Sequence, residues 1–127
     1  MKRAALLVLI TLAIACGQQR EQKAAAPQQP APAADPRIEQ GKAAIVQYGC
    51  NVCHVIPGIE GGGSLAPSLA GIGSRPTISE AAVQNTPRNL AQFIQEPASM
   101  NPQSSMPPIG VNDAEAEAIA AYLMTLK

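Results

Sequence analysis

Residues 48–58 read Tyr-Gly-Cys-Asn-Val-Cys-His-Val-Ile-Pro-Gly, which gathers two thiols and an imidazole, Cys50, Cys53 and His54, within five positions. His54 is the chain's sole histidine, and the third cysteine, Cys16, lies far upstream. Such a cluster can hold a zinc ion, cycle as a redox disulfide, or grip a haem. Each of these demands a different fold around it, so the choice among them constrains everything else.

A closed zinc site takes four protein ligands, usually from paired clusters. Here there are three at most, with no second cluster, and a histidine directly after the second cysteine is badly placed to share one tetrahedral ion with both thiolates. A redox dithiol of the thioredoxin kind sits at a helix start within a βαβ unit, and no strand pattern is convincing anywhere in this sequence. A plain Cys50–Cys53 disulfide suits an exported protein but leaves His54 without a role. C-x-x-C-H is the attachment signature of c-type haem: the thiols form thioethers with the porphyrin, and the next residue brings its imidazole to the iron. That reading employs all three residues. It predicts one covalent haem c, anchored by Cys50 and Cys53, with His54 as an axial ligand.

Composition leaves room for a bulky apolar cofactor, with an Ala-rich helical domain packed by Ile, Leu and Val as the alternative. A chain of 127 residues is one small domain with appendages. It has no Trp, one Phe (Phe93) and two Tyr (Tyr48 and Tyr122), so large side chains for a core are scarce. Small domains already bury proportionally less surface.

The N-terminus reads as an export signal over residues 1–15. Lys2 and Arg3 precede an apolar run from Ala4 to Ala15, interrupted only by Thr11, and small Ala13 and Ala15 lead into Cys16. The run is short for a permanent span, which needs about 20 apolar residues; an uncleaved anchor is the alternative. Leu-Ala-Ile-Ala-Cys also resembles a bacterial lipobox, although Leu12 stands one place earlier than that pattern prefers. A lipidated Cys16 is therefore expected, which also accounts for the odd cysteine. The expected compartment is the periplasmic side of a bacterial membrane. Residues 16–35 are rich in Gln, Ala and Pro and read as a disordered tether.

Residues 36–127 read as one all-α domain. Asp35-Pro36 and Thr86-Pro87 are each a cap residue followed by proline at the first helical position. The first of these helices ends at Gly49, just before Cys50, and the second near Pro97. Asn112 with Glu115 makes a capping box for a last helix whose stripe is Ile119, Tyr122, Leu123 and Leu126, with Lys127 at its negative end. Residues 55–77 should be mostly loop and turns, and Ser79 to Val83 one or two helical turns. From Pro36 onward, five basic residues against seven acidic ones leave −2. Without a basic, aromatic-studded stripe, nucleic acid is not an expected partner.

A sole histidine precludes bis-histidine ligation within the chain. Beyond Met1, the sulfur candidates for a sixth ligand are Met100, Met106 and Met124. Met124 falls beside the apolar stripe of the last helix and is most simply a core residue. Met100 lies in a loop after the Phe93 helix. Met106 sits among Pro102, Pro107 and Pro108, which restrict the backbone around it. The residues favour Met106 and leave Met100 open.

With these residues in view, Pro36 to Lys127 resembles a class I, single-haem cytochrome c. Gly41 with Ile45, and Ile119 with Tyr122, match the pattern by which that family crosses its N- and C-terminal helices; Ile45 replaces the commoner aromatic. Residues 66–75, Ala-Pro-Ser-Leu-Ala-Gly-Ile-Gly-Ser-Arg, are similar to the family's Gly-Pro-x-Leu-x-Gly-x-x-Gly-Arg, with Ala66 for the first glycine. The resemblance implies that the Pro67 carbonyl accepts a hydrogen bond from His54, that Arg75 lies near a haem propionate, and that Met106-Pro107 supplies the methionine ligand. It implies a single-electron carrier and not an enzyme, most simply a monomer. Its partners would be redox proteins such as a terminal oxidase, a quinol-oxidising complex, a dehydrogenase or a reductase. A haem-based gas sensor or peroxidase-like protein with a displaceable sixth ligand is the alternative.

Overall fold

The computed structural model describes residues 35–80 and 83–127, so the expected export signal, Cys16 and nearly all of the tether lie outside the described residues. Helix α1, Pro36–Gln47, begins where Asp35 accepts a hydrogen bond from the Arg37 backbone N–H at 3.0 Å. Proline at the first helical position has no donor to leave unpaired there. Asp35 also pairs with the Arg37 guanidinium, which holds its carboxyl below the usual range. After Tyr48, Gly49 takes φ +67°, a left-handed conformation that a side chain resists, and the single turn α2, Cys50–Cys53, starts at once.

The last helix, α5 (Asp113–Leu123), carries the predicted capping box: Asn112 Oδ1 accepts from the Glu115 N–H at 3.0 Å, and Glu115 Oε2 accepts from the Asn112 N–H at 3.2 Å. It packs chiefly against α1 and then against α3, Pro87–Gln95. The α1–α5 crossing is close enough that a Cβ on Gly41 would collide with the Ala118 carbonyl. Glycine is therefore a requirement of the packing. Ile45 and Ile119 are 0% and 1% exposed beside this contact, each worth roughly 1.5–3 kcal/mol by burial. Thr86 caps α3 by accepting from the Asn89 N–H, and α3 contributes Leu90, Phe93 and Ile94 to the same core.

The structure departs from the sequence reading in four places. Ser79 to Val83 was expected to be helical. Instead Thr77–Ile78 (β1) and Val83–Gln84 (β2) pair antiparallel, with Thr77 opposite Gln84 and Ile78 opposite Val83. Three of these four residues are β-branched and favour a pleated conformation, and Ser79 at φ 55° turns the chain away after β1. The ladder is only two residues long, so the domain remains all-α in class. Met100, expected in a loop, ends a short helix α4, Pro97–Met100, which starts as soon as α3 stops. Met124 closes α5 as its C-cap and does not lie inside it.

Leu126, expected on the last helix's stripe, and Lys127 both lie past the end of α5. The Lys127 ammonium donates to Gly73 O at 2.7 Å, and the Gly73 N–H donates to Leu126 O at 2.8 Å. These two bonds tie the C-terminal residues to a 3-10 turn at Ile72–Ser74.

Candidate functional site

The thiols of Cys50 and Cys53 stand three residues apart on α2, a spacing that puts both side chains on one face of a helical turn. Both are free and half-buried. Val52, between them, points outward at 67% exposure. Burial pushes the Cys50 thiol above its ordinary pKa, opposite to the lowered value of a redox-active dithiol. Immediately after Cys53 the backbone becomes extended at His54 (φ −106°, ψ 141°), so the imidazole leaves the turn in a new direction.

That imidazole is held from behind. His54 Nδ1 lies 2.7 Å from Pro67 O. A carbonyl oxygen only accepts, so Nδ1 carries the proton, and in the neutral ring Nε2 then carries the lone pair. A metal-ligating histidine needs this tautomer when it binds through Nε2, and the carbonyl both orients the ring and raises its basicity.

The Pro67 carbonyl is placed by a loop that is laced back onto the cysteine segment. The Gly63, Ala66 and Leu69 N–H groups donate to the carbonyls of Asn51, Cys53 and Val55, at 3.0, 3.1 and 2.9 Å. Asn51 Nδ2 donates to Glu60 O at 2.9 Å. The loop presses so closely that a Cβ on Gly63 would overlap the Val52 carbonyl. Arg75 Nη2 donates to Ser68 O and Ala70 O, at 2.7 and 3.0 Å, so what the structure shows for Arg75 is a brace on the turn following Pro67.

Met106 reaches the domain on a separate loop. It is half-buried and packs against the hydrophobic core, as do Met100 and Met124. Its N–H donates to Ser104 Oγ at 3.2 Å, the Ser104 N–H to Asn101 O at 2.9 Å, and the Gln103 N–H to Asn101 Oδ1 at 3.1 Å. The structure thus brings His54 to Pro67 and the two thiols to one face. It leaves Arg75 with backbone carbonyls and Met106 on its own braced segment.

Two residues that matter here were read from the sequence only as packing residues. Tyr48 OH donates to Glu115 Oε2 at 2.6 Å, and Tyr122 OH donates to Pro57 O at 2.7 Å. The chain's only tyrosines therefore fasten α5 to both flanks of the Cys50–His54 segment. Their partners lie 67 and 65 residues away, beyond the reach of any local pattern.

These donors fit a covalent haem. Two free thiols share one face of α2, the imidazole has its Nδ1 engaged by a carbonyl, and Cys50, Met100, Met106 and Met124 pack against one core. They do not fit zinc: among the described residues, no three His, Cys, Asp or Glu side chains converge on a point where an ion could sit. A small helical domain with a thioether-competent cysteine pair and a carbonyl-polarised histidine is, as a class, a haem-bearing electron-transfer domain. The family described as Cytochrome c matches residues 38–127, and the chain belongs to that family. Comparison with curated proteins gives no match. Membership carries with it covalently bound haem c and a haem-based electron-carrying role.

Proposed function

We propose that the protein is a single-haem electron carrier in which His54 and Met106 would ligate the iron, Cys50 and Cys53 would anchor the haem as thioethers, and Cys16 would carry a lipid. When bound, the haem supplies an iron that changes charge by one electron, and thioether ligation favours its ferrous form. The chain's own residues then do three things. His54, oriented by the Pro67 carbonyl, presents Nε2 without needing to rotate or shift a proton. Met106, held by its proline-flanked and hydrogen-bonded loop, would supply a thioether sulfur to the iron with little ordering cost. The aliphatic core against which Cys50 and Met106 pack would exclude water on that side of the haem and so keep reorganisation on electron transfer small.

The observation that carries this reading is the bond between His54 Nδ1 and Pro67 O, because it fixes the imidazole as an Nε2 donor. Arg75, by the likeness to class I cytochromes, would steady a propionate in addition to bracing its turn. The partners proposed are a terminal oxidase, a quinol-oxidising complex, a dehydrogenase or a reductase, reached at the periplasmic face of a membrane.

Visible spectroscopy tests the ligation. The oxidised protein should show the weak far-red sulfur-to-iron band, and Met106→Ala should lose it while the haem stays covalently attached. A high-spin oxidised spectrum, or rapid carbon monoxide binding by the reduced wild type, would instead establish a sensor or peroxidase-like protein. Cys16→Ser should release the protein from membranes; retention would mean an uncleaved anchor.

A further inference from the structure

We infer that Glu115 is a positioning residue for the iron's methionine side: one of its carboxylate oxygens straps the base of the Met106 loop to the segment that carries Cys50, Cys53 and His54. This inference rests on the Met106 ligation proposed above. The same atom, Glu115 Oε2, accepts from Tyr48 OH at 2.6 Å and from the Asn112 N–H at 3.2 Å. Tyr48 stands two residues before Cys50, and Asn112 six residues after Met106. A capping box needs only the Asn112 contact. The Tyr48 contact adds a link from the start of α5, next to the Met106 loop, to the end of α1 just before Cys50.

The strap joins the base of the Met106 loop to the end of α1. Between Met106 and Asn112 the chain runs through Pro107 and Pro108, whose φ angles are fixed, then Ile109, Gly110 at φ +76°, and Val111, which is 7% exposed and anchored in the core. The strap therefore acts on the base of the Met106 loop, beside the Val111 anchor from which that loop departs. On the other side, Tyr48 closes α1, and only Gly49 separates it from Cys50. The bond itself is a short phenol-to-carboxylate contact, among the stronger kinds in a protein. Within a folded domain it keeps the two loops at a set separation, and a methionine ligand that is held in this way resists replacement by external ligands.

The molecule contains its own control. Tyr122 OH makes a similar partly buried bond to Pro57 O, also between α5 and the cysteine segment, yet Pro57 lies on the His54 side and the contact involves no residue of the Met106 loop. If tyrosine bonds matter only for general stability, Tyr48→Phe and Tyr122→Phe should behave alike.

The test is an imidazole titration of the oxidised, haem-loaded full chain, followed by loss of the far-red band, alongside chemical denaturation of each variant. Tyr48→Phe should bind imidazole about fivefold more tightly than the wild type. Tyr122→Phe should lower the denaturation midpoint and leave imidazole binding within about twofold, since it breaks a bond of similar size elsewhere. The double variant Tyr48→Phe/Glu115→Ala should bind imidazole no more tightly than Glu115→Ala, because both changes remove one shared link. An unchanged affinity in Tyr48→Phe, an equal shift in Tyr122→Phe, or additive effects in the double variant would overturn the inference. Absence of the far-red band from the wild type would refute the Met106 ligation first, and this inference with it.

Discussion

The α1–α5 crossing and the loop that wraps the cysteine segment are both close approaches enabled by a glycine, but they are held by different forces. At the crossing, Gly41 lets α1 meet the Ala118 carbonyl, and Ile45, Ala116, Ile119 and Ala120 are almost fully buried around the contact. At the loop, Gly63 lies against the Val52 carbonyl, but its neighbours Val52 and Leu65 are 67% and 84% exposed. Hydrogen bonds, not apolar burial, keep that loop in place. The scaffold is thus held by close apolar packing, whereas the site is shaped by directional bonds that set atoms in position and contribute less to global stability.

The largest expected effect follows from breaking the scaffold. Gly41→Ala drives a methyl group into backbone that has no room to give, and overpacking of this kind should cost about 3 kcal/mol or more. Chemical denaturation of the variant should show this loss, with the unfolding still cooperative. A loss under about 1 kcal/mol would mean that the helices slide apart easily and that the crossing is not the keystone described here.

Gly63→Ala makes the same change on the site side and sharpens the contrast. The exposed loop can move away from Val52, so the global cost should be smaller, about 1–2 kcal/mol. The damage should be local: the amides of Gly63, Ala66 and Leu69, which donate to the cysteine segment, should lose hydrogen-exchange protection while those of α5 keep theirs. Uniform loss across both regions would erase the distinction between scaffold and site.

The same division explains what could be read in advance. Helix starts at Asp35-Pro36, Thr86-Pro87 and Asn112 are local devices, complete within four residues, and they stand where the sequence places them. The cysteine–histidine motif is likewise local. The β1–β2 pair was missed because two-residue strands carry no periodicity, and their pairing depends on contacts such as Asn85 Nδ2 with Ile72 O and Arg75 O. Lys127 was assigned to the helix dipole because its position suits that role, but a backbone carbonyl of the 3-10 turn lay within reach. Tyr48, Tyr122 and Glu115 were legible as packing and capping residues only. What their polar atoms do depends on how distant segments meet, and that is decided by the whole fold.

The smallest expected effect concerns pH and bears on the link between the two regions. Donation to the Glu115 carboxylate, and secondarily burial, raise the Tyr48 phenol above its ordinary value of 10.0. A phenol whose folded value is raised favours folding while it stays protonated. Its contribution is therefore fully present below the unfolded value, about pH 10, and is lost as pH climbs through the folded value above that. Denaturation midpoints of the wild type should accordingly decline more steeply than those of Tyr48→Phe once pH exceeds about 10, and the two proteins should converge. Parallel curves would show that the phenol titrates alike in the folded and unfolded chains. The hydroxyl would then be a bystander at the junction between scaffold and site.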